Sequence, residues 1–137
     1  MKLSKTADYS LRILSFMAKK PEQIHTAKDL VAKLNISDKY LRKLMTQLSK
    51  AGFIKSIQGR EGGYSFTQPT EQIFVSQIID TVDGLDKYLG CIMGFGDCSD
   101  KNPCALHKKW VKVRSQIMIL FETTSIAEMA EKDVQKL

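Results

Sequence analysis

Three cysteines and one histidine carry the most chemistry in this sequence. They are spaced Cys91-x6-Cys98-x5-Cys104-x2-His107, so all three thiols fall within 14 residues. Thiolates are soft ligands that suit iron–sulfur clusters, zinc or copper(I). Structural zinc sites favour cysteine pairs with about two to four residues between them. Gaps of six and five fit one loop wrapped around a larger cluster better. The short step from Cys104 to His107 offers a three-cysteine, one-histidine zinc site instead. Unligated thiols, with or without a switching disulfide, are the third reading. An odd cysteine count argues against a disulfide framework. No nucleophile–base pair, no paired acids and no nucleotide loop stand elsewhere, so the chain reads as a non-enzyme.

The thiols lie where periodicity vanishes. From Leu89 to Pro103 the chain is broken by Gly90, Gly94, Gly96 and Pro103, and unstructured loops of roughly 15 residues are often functional. A long helix is predicted from about Cys104 to Glu122. Its residues Leu106, Trp110, Val113, Ile117 and Leu120 step by four and three, which is a heptad stripe. Val111, Met118, Ile119 and Phe121 widen the apolar surface. So wide a face calls for a partner, expected to be the same helix of a second copy. Trp110 is assigned to the core or to that seam. Ser125 to Ala130 reads as a last short helix with no assigned function.

The elements before the loop predict a helix-turn-helix with a wing. Thr6 to Ala18 forms a first helix with Ala7, Leu11, Leu14, Phe16, Met17 and Ala18 inward, stopped by Lys19-Lys20-Pro21. Thr26 is the N-cap of a second helix, with Asp29 as its capping-box partner and Leu30, Val31 and Leu34 facing inward. After a short break Ser37 caps a third helix, with Leu41, Leu44, Met45 and Leu48 at helical spacing and Gly52 as its stop. Phe53 to Ile57, a glycine-rich turn and Tyr64 to Thr67 make a hairpin. Phe74, Val75, Ile78, Ile79 and Val82 mark a short connecting helix ended by Gly84. His25 is assigned to the surface.

The third helix is the expected reading helix. Ser37, Lys39, Tyr40, Arg42, Lys43, Thr46 and Gln47 fall on its outer face, and such residues bond phosphates and base edges. Thr26 and, at the wing tip, Arg60 join the expected DNA contacts. The charge agrees: residues 1–70 carry +8 and residues 71–137 carry −2, which together make the net +6. A basic half suits a polyanion.

Segments 1–84, 85–105 and 106–137 are accordingly assigned to the winged helix with its connecting helix, the cysteine loop, and the dimerisation helix with tail. The apolar content of 43% supports a core. No apolar run approaches the ~18–20 residues of a membrane span. The start, Met1-Lys2-Leu3-Ser4-Lys5, lacks the apolar centre of a signal peptide, so a cytoplasmic location without membrane partners is expected.

Taken together, the chain resembles the IscR/NsrR family of bacterial winged-helix regulators over essentially its full length. The matching segments are Leu3 to Tyr9 with Leu11-Arg12, Tyr40-Leu41 in the reading helix, the wing Gly59-Arg60-Glu61-Gly62-Gly63-Tyr64, the cysteine loop and the long helix. The resemblance implies a homodimeric transcription factor that binds double-stranded DNA and whose three cysteines hold an iron–sulfur cluster. In the IscR-like branch a histidine three residues after the last cysteine completes a [2Fe–2S] site, and His107 stands there. In the NsrR-like branch an aspartate in the first helix of the other subunit completes a [4Fe–4S] site, and Asp8 occupies that place. The first gap is six where five is expected in the best-known members, so the cluster type stays open. Nitric oxide, redox state and cluster supply are all implied signals.

Overall fold

The first helix begins where Ser4 makes it begin. Its backbone is extended and its Oγ accepts the Ala7 N–H, so α1 runs Lys5–Ala18. The computed structural model that shows this describes residues 2–96 and 98–132. Met1 and residues 133–137, the end of the segment assigned to helix and tail, lie outside the described residues, as does Asp97. The inner face of α1 is Ala7, Leu11, Ile13, Leu14, Met17 and Ala18. Phe16, expected inward, is half-buried and meets the His25 ring edge-on, with centroids 6.2 Å apart.

Each helix of the helix-turn-helix carries the cap its sequence offered. Thr26 accepts the Asp29 N–H and opens α2, Ala27–Leu34, which ends on Asn35 in the left-handed region. Ser37 accepts the Tyr40 N–H and opens α3, Asp38–Lys50. Leu41, Leu44, Met45 and Leu48 are fully buried. Gly52, at φ +90°, turns the chain out of the helix.

The wing is an antiparallel hairpin of β1, Ile54–Ile57, and β2, Gly63–Phe66, paired from Ile54↔Phe66 to Ile57↔Gly63. A third piece of backbone joins it. His25 N–H donates to the Tyr64 carbonyl and Tyr64 N–H to the His25 carbonyl, both at 2.8 Å. His25 is therefore a correction to the sequence reading: it is 3% exposed rather than on the surface. The cause is this backbone clamp, together with an Nε2 contact to the Lys20 carbonyl at 3.1 Å.

The C-terminal half folds back onto the first helix. Gly84, at φ +83°, ends α4, Val75–Val82, which packs on α1 and α3. A short turn, α5, Asp86–Leu89, follows that the sequence reading gave to no element. The long helix α6 is His107–Thr123, starting three residues later than expected, because Cys104 stays outside and its carbonyl accepts the His107 N–H. Ser125 accepts the Glu128 N–H and opens α7, Ile126–Glu131, which packs against α1. Ile126 N–H donates to Ile73, and Val75 N–H to Thr124. The last helix thus belongs to the core, where Phe121 and Ile126 join Leu11, Leu14 and Ile79.

Gly63 tests the clamp on the wing. A Cβ there would sit 2.3 Å from the His25 carbonyl oxygen. Gly63→Ala is expected to cost about 1–3 kcal/mol in equilibrium urea unfolding, as overpacking against fixed backbone does. Gly96→Ala, which meets nothing within 4 Å, is expected to stay within about 0.5 kcal/mol. Equal losses at both positions would contradict the clamp.

Candidate functional site

The outer face of α3 is presented as the sequence suggested, with two differences. Ser37, Lys39, Arg42, Lys43 and Thr46 are exposed, as are Thr26 at the start of α2 and Arg60 at the wing tip. Tyr40 and Gln47 are half-buried. The Tyr40 ring lies edge-on to Tyr9 at 5.8 Å, its hydroxyl donates to Thr6 Oγ1 at 3.3 Å, and Lys5 Nζ sits 5.5 Å from its centroid. Tyr40 therefore braces α3 on α1. Arg42 is already engaged, with Nε 2.9 Å from Asp38 Oδ2. That hydrogen bond and the Asp38 charge raise its basicity further, so it stays a cation throughout. A polar hollow of about 250 Å³ between α2, α3 and the hairpin is lined by Lys28, Arg42, Gln58 and Gly59. Lys28 is exposed beside that hollow, and sequence reasoning passed over it.

The loop between α5 and α6 brings its four candidate ligands together as two pairs. Cys91 and Cys104 have sulfur atoms 3.9 Å apart. Cys98 Sγ lies 3.7 Å from His107 Nδ1. All three thiols are free and half-buried. Among the described residues no three of His, Cys, Asp or Glu gather tightly enough to hold one metal ion. His107 is buried, at 4% exposed, although Lys108 and Lys109 follow it. Its Nε2 bonds Asp100 Oδ1 at 2.9 Å, which leaves Nδ1 turned to Cys98. Asp8 takes no part in this arrangement within the chain: its carboxylate accepts from Arg12 Nε at 2.9 Å.

Electrostatics favour thiolate at Cys91. Partial burial pushes its thiol up. The N–H groups of Phe95, Met93 and Gly94, with the hydrogen bond to Cys104, outweigh this and set it below its ordinary value. Arg114 supplies the cation at Cys98: Nη1 is 3.1 Å from its sulfur and 3.5 Å from the Leu89 carbonyl. Sequence reasoning missed Arg114, although it lies two helical turns after His107 and so on the same face of α6.

The entry to the loop is tied to the rest of the molecule. Trp110 Nε1 donates to the Gly90 carbonyl at 2.8 Å. Tyr88 is buried with its ring edge-on to Phe121. Its hydroxyl donates to Asp83 Oδ2 at 2.6 Å and accepts the Ser4 N–H at 2.8 Å. Ser4 Oγ donates to the same Asp83 oxygen at 2.5 Å. The N-cap of α1 and the first turn before the cysteines thus share one carboxylate.

Comparison with known proteins decides the family. The model of Rrf2, described as an iron-dependent transcriptional regulator, matches residues 3–132. The chain belongs to the Rrf2 family. It is accordingly a DNA-binding transcriptional regulator and not an enzyme, with the winged helix-turn-helix fold expected from its sequence. NsrR of Bacillus licheniformis is 33% identical over 107 residues, which cover 77% of this chain and 71% of that protein. The structure of CymR, the global cysteine regulator of B. subtilis, superposes with a TM-score of 0.81 at 26% identity, covering 97% of this chain and 99% of that one. IscR of T. potens superposes with a TM-score of 0.74 at 23% identity over 96% of this chain and 87% of that one, a likeness of fold. No helix among the described residues of this Rrf2 chain is long and apolar enough to cross a membrane.

The Cys91 environment has a direct readout. In reduced, metal-free protein, iodoacetamide labelling of the Cys91 peptide is expected to reach half-maximal rate below the pH of a free thiol, about 8.5. A midpoint at or above that value, read by mass spectrometry, would contradict it.

Proposed function

We propose that the chain is a cytoplasmic, homodimeric regulator whose operator affinity is controlled by an iron–sulfur cluster in the Leu89–Cys104 loop. The residues proposed to hold it are Cys91, Cys98, Cys104 and His107, as a [2Fe–2S] site. The pairing of these ligands carries the reading. Two ligands on one tetrahedral metal, with metal–sulfur bonds near 2.3 Å, stand about 3.5–3.8 Å apart. Cys98/His107, at 3.7 Å, has that spacing and Cys91/Cys104, at 3.9 Å, is just beyond it; two such pairs are what two irons need. The bond from His107 to Asp100 supports it, because ligating histidines usually give their other nitrogen to a carboxylate. A bound cluster would supply a redox- and nitric-oxide-reactive centre.

The dimer is proposed to form along α6. Val113, Ile119 and Leu120 are more than half exposed, at 51%, 53% and 58%, and a helix with such a stripe is stabilised by burying it. A two-fold dimer would set two α3 helices about one turn of DNA apart. Thr26, Ser37, Lys39, Arg42, Lys43, Gln47 and Arg60 are the proposed contacts, with Tyr40 holding α3 in place. When the four ligands are engaged, the loop is held in one shape, and Tyr88, Asp83 and Ser4 carry that shape to α1. When they are free, the loop relaxes and the spacing of the two reading helices changes.

Iron and sulfide analysis on protein purified without oxygen tests the cluster. Two irons and two sulfides per chain with visible absorption are expected. Four of each would point to a [4Fe–4S] site with Asp8 of a partner as fourth ligand. Colourless protein after anaerobic reconstitution would favour the second reading, a metal-free regulator switched by cysteine oxidation. The likeness to CymR and the close Cys91–Cys104 sulfurs support that alternative.

Two substitutions probe the other parts. Lys43→Gln is expected to weaken DNA binding and to reduce the slope of log affinity against log salt by about 1 if it meets a phosphate. An unchanged affinity and slope would remove Lys43 from the interface. Tyr88→Phe keeps the ring on Phe121 and deletes both hydroxyl bonds. It is expected to cost about 1–2 kcal/mol of stability and to shrink the difference in operator affinity between loaded and cluster-free protein. An undiminished difference would place the coupling elsewhere.

A further inference from the structure

The three thiols are not equivalent. Cys91 and Cys104 face each other, with a hydrogen bond between sulfurs 3.9 Å apart. Cys98 has different partners: Arg114 Nη1 at 3.1 Å and His107 Nδ1 at 3.7 Å. A disulfide needs its sulfurs at about 2.0 Å, so Cys91 and Cys104 must approach by about 1.9 Å. Both lie outside regular helix. The chain between them has room to give: Gly94 sits at φ +85°, and a Cβ at Gly94 or Gly96 would meet nothing within 4 Å. A hollow of about 540 Å³, lined by Met93, Phe95, Pro103 and Cys104, opens the Cys104 side to a small oxidant.

We infer that in the metal-free chain Cys91 and Cys104 close into an intrachain disulfide on reaction with a hydroperoxide, and that Cys98 stays a free thiol. One thiolate attacks a peroxide oxygen, the O–O bond breaks, and a sulfenic acid and an alcohol (water, from hydrogen peroxide) form. The second thiolate attacks that sulfur, the S–S bond forms, and hydroxide leaves as water with a proton. The two sulfurs lose two electrons and the peroxide gains them. The bond ties up both thiols of one proposed ligand pair, so it and metal at that pair exclude each other until a thiol reductant reopens it. Arg114 and His107 keep Cys98 out of the exchange.

The inference rests on thiol geometry and holds under either reading of function, so an iron count and this test can fail separately. The full chain is reduced, freed of metal, treated with hydrogen peroxide, quenched with catalase and blocked with N-ethylmaleimide. Non-reducing peptide mapping should then show Cys91 joined to Cys104 and a single blocked thiol at Cys98. Dithiothreitol should restore three thiols. Cys98→Ser should form the same bond with no thiol left, while Cys91→Ser and Cys104→Ser should form no intrachain bond. Circular dichroism checks that each variant keeps its fold, and the wild-type map decides alone if one does not. A bond that includes Cys98, three surviving thiols, or oxidation halting at a sulfinic acid on one cysteine would overturn the inference.

Discussion

The segment Tyr88-Leu89-Gly90 ties the cysteine loop both to the start of α1 and to α6. Each of its three residues gives a polar group to another element, Tyr88 to the start of α1 and Leu89 and Gly90 to α6. The Tyr88 hydroxyl meets Asp83 and the start of α1, the Leu89 carbonyl meets Arg114, and the Gly90 carbonyl meets Trp110. Buried polar groups are costly when unpaired, so moving this segment would leave several partners to be satisfied elsewhere. The first cysteine, Cys91, follows directly. The shape of the loop and the placement of α1 are for that reason one mechanical problem.

The N-terminal half is held together differently. Its helices are fixed by capping side chains at Ser4, Thr26 and Ser37 and by a continuous core. Its wing is fixed by backbone, through the two hydrogen bonds between His25 and Tyr64. Under the proposed function, control from the cysteine loop would reach this half at the start of α1, through Tyr88, Asp83 and Ser4.

Local chemistry was legible in the sequence, and long-range pairing was not. Ser37 before Asp38, the 3.6-residue rhythm of Leu41, Leu44 and Leu48, and glycines between two β-prone runs each depend on a few neighbours, and each element stands where they place it. His25 was misplaced because its burial comes from backbone pairing across the wing, to which its side chain type gives no clue. The start of α6 was set too early because Cys104 to Leu106 form a turn, closed by the His107 N–H on the Cys104 carbonyl, that the sequence does not distinguish from a first helical turn. Tyr88 and Asp83 meet Ser4 across separations of 84 and 79 residues, beyond any pattern a single sequence displays. In the loop, the sequence offered ligand types and gaps. Their division into Cys91/Cys104 and Cys98/His107 needed the path of the chain.

The proposed control of DNA affinity by the cysteine loop is a difference between two states of one protein. Its most direct test is operator binding by fluorescence anisotropy, comparing cluster-loaded with cluster-free protein at one fixed salt concentration. A coupling of about 2–3 kcal/mol would appear as a 30- to 150-fold difference in Kd. Equal affinities for the two forms, both folded and dimeric, would contradict the account and leave the loop a structural appendage of a constitutive DNA-binding protein.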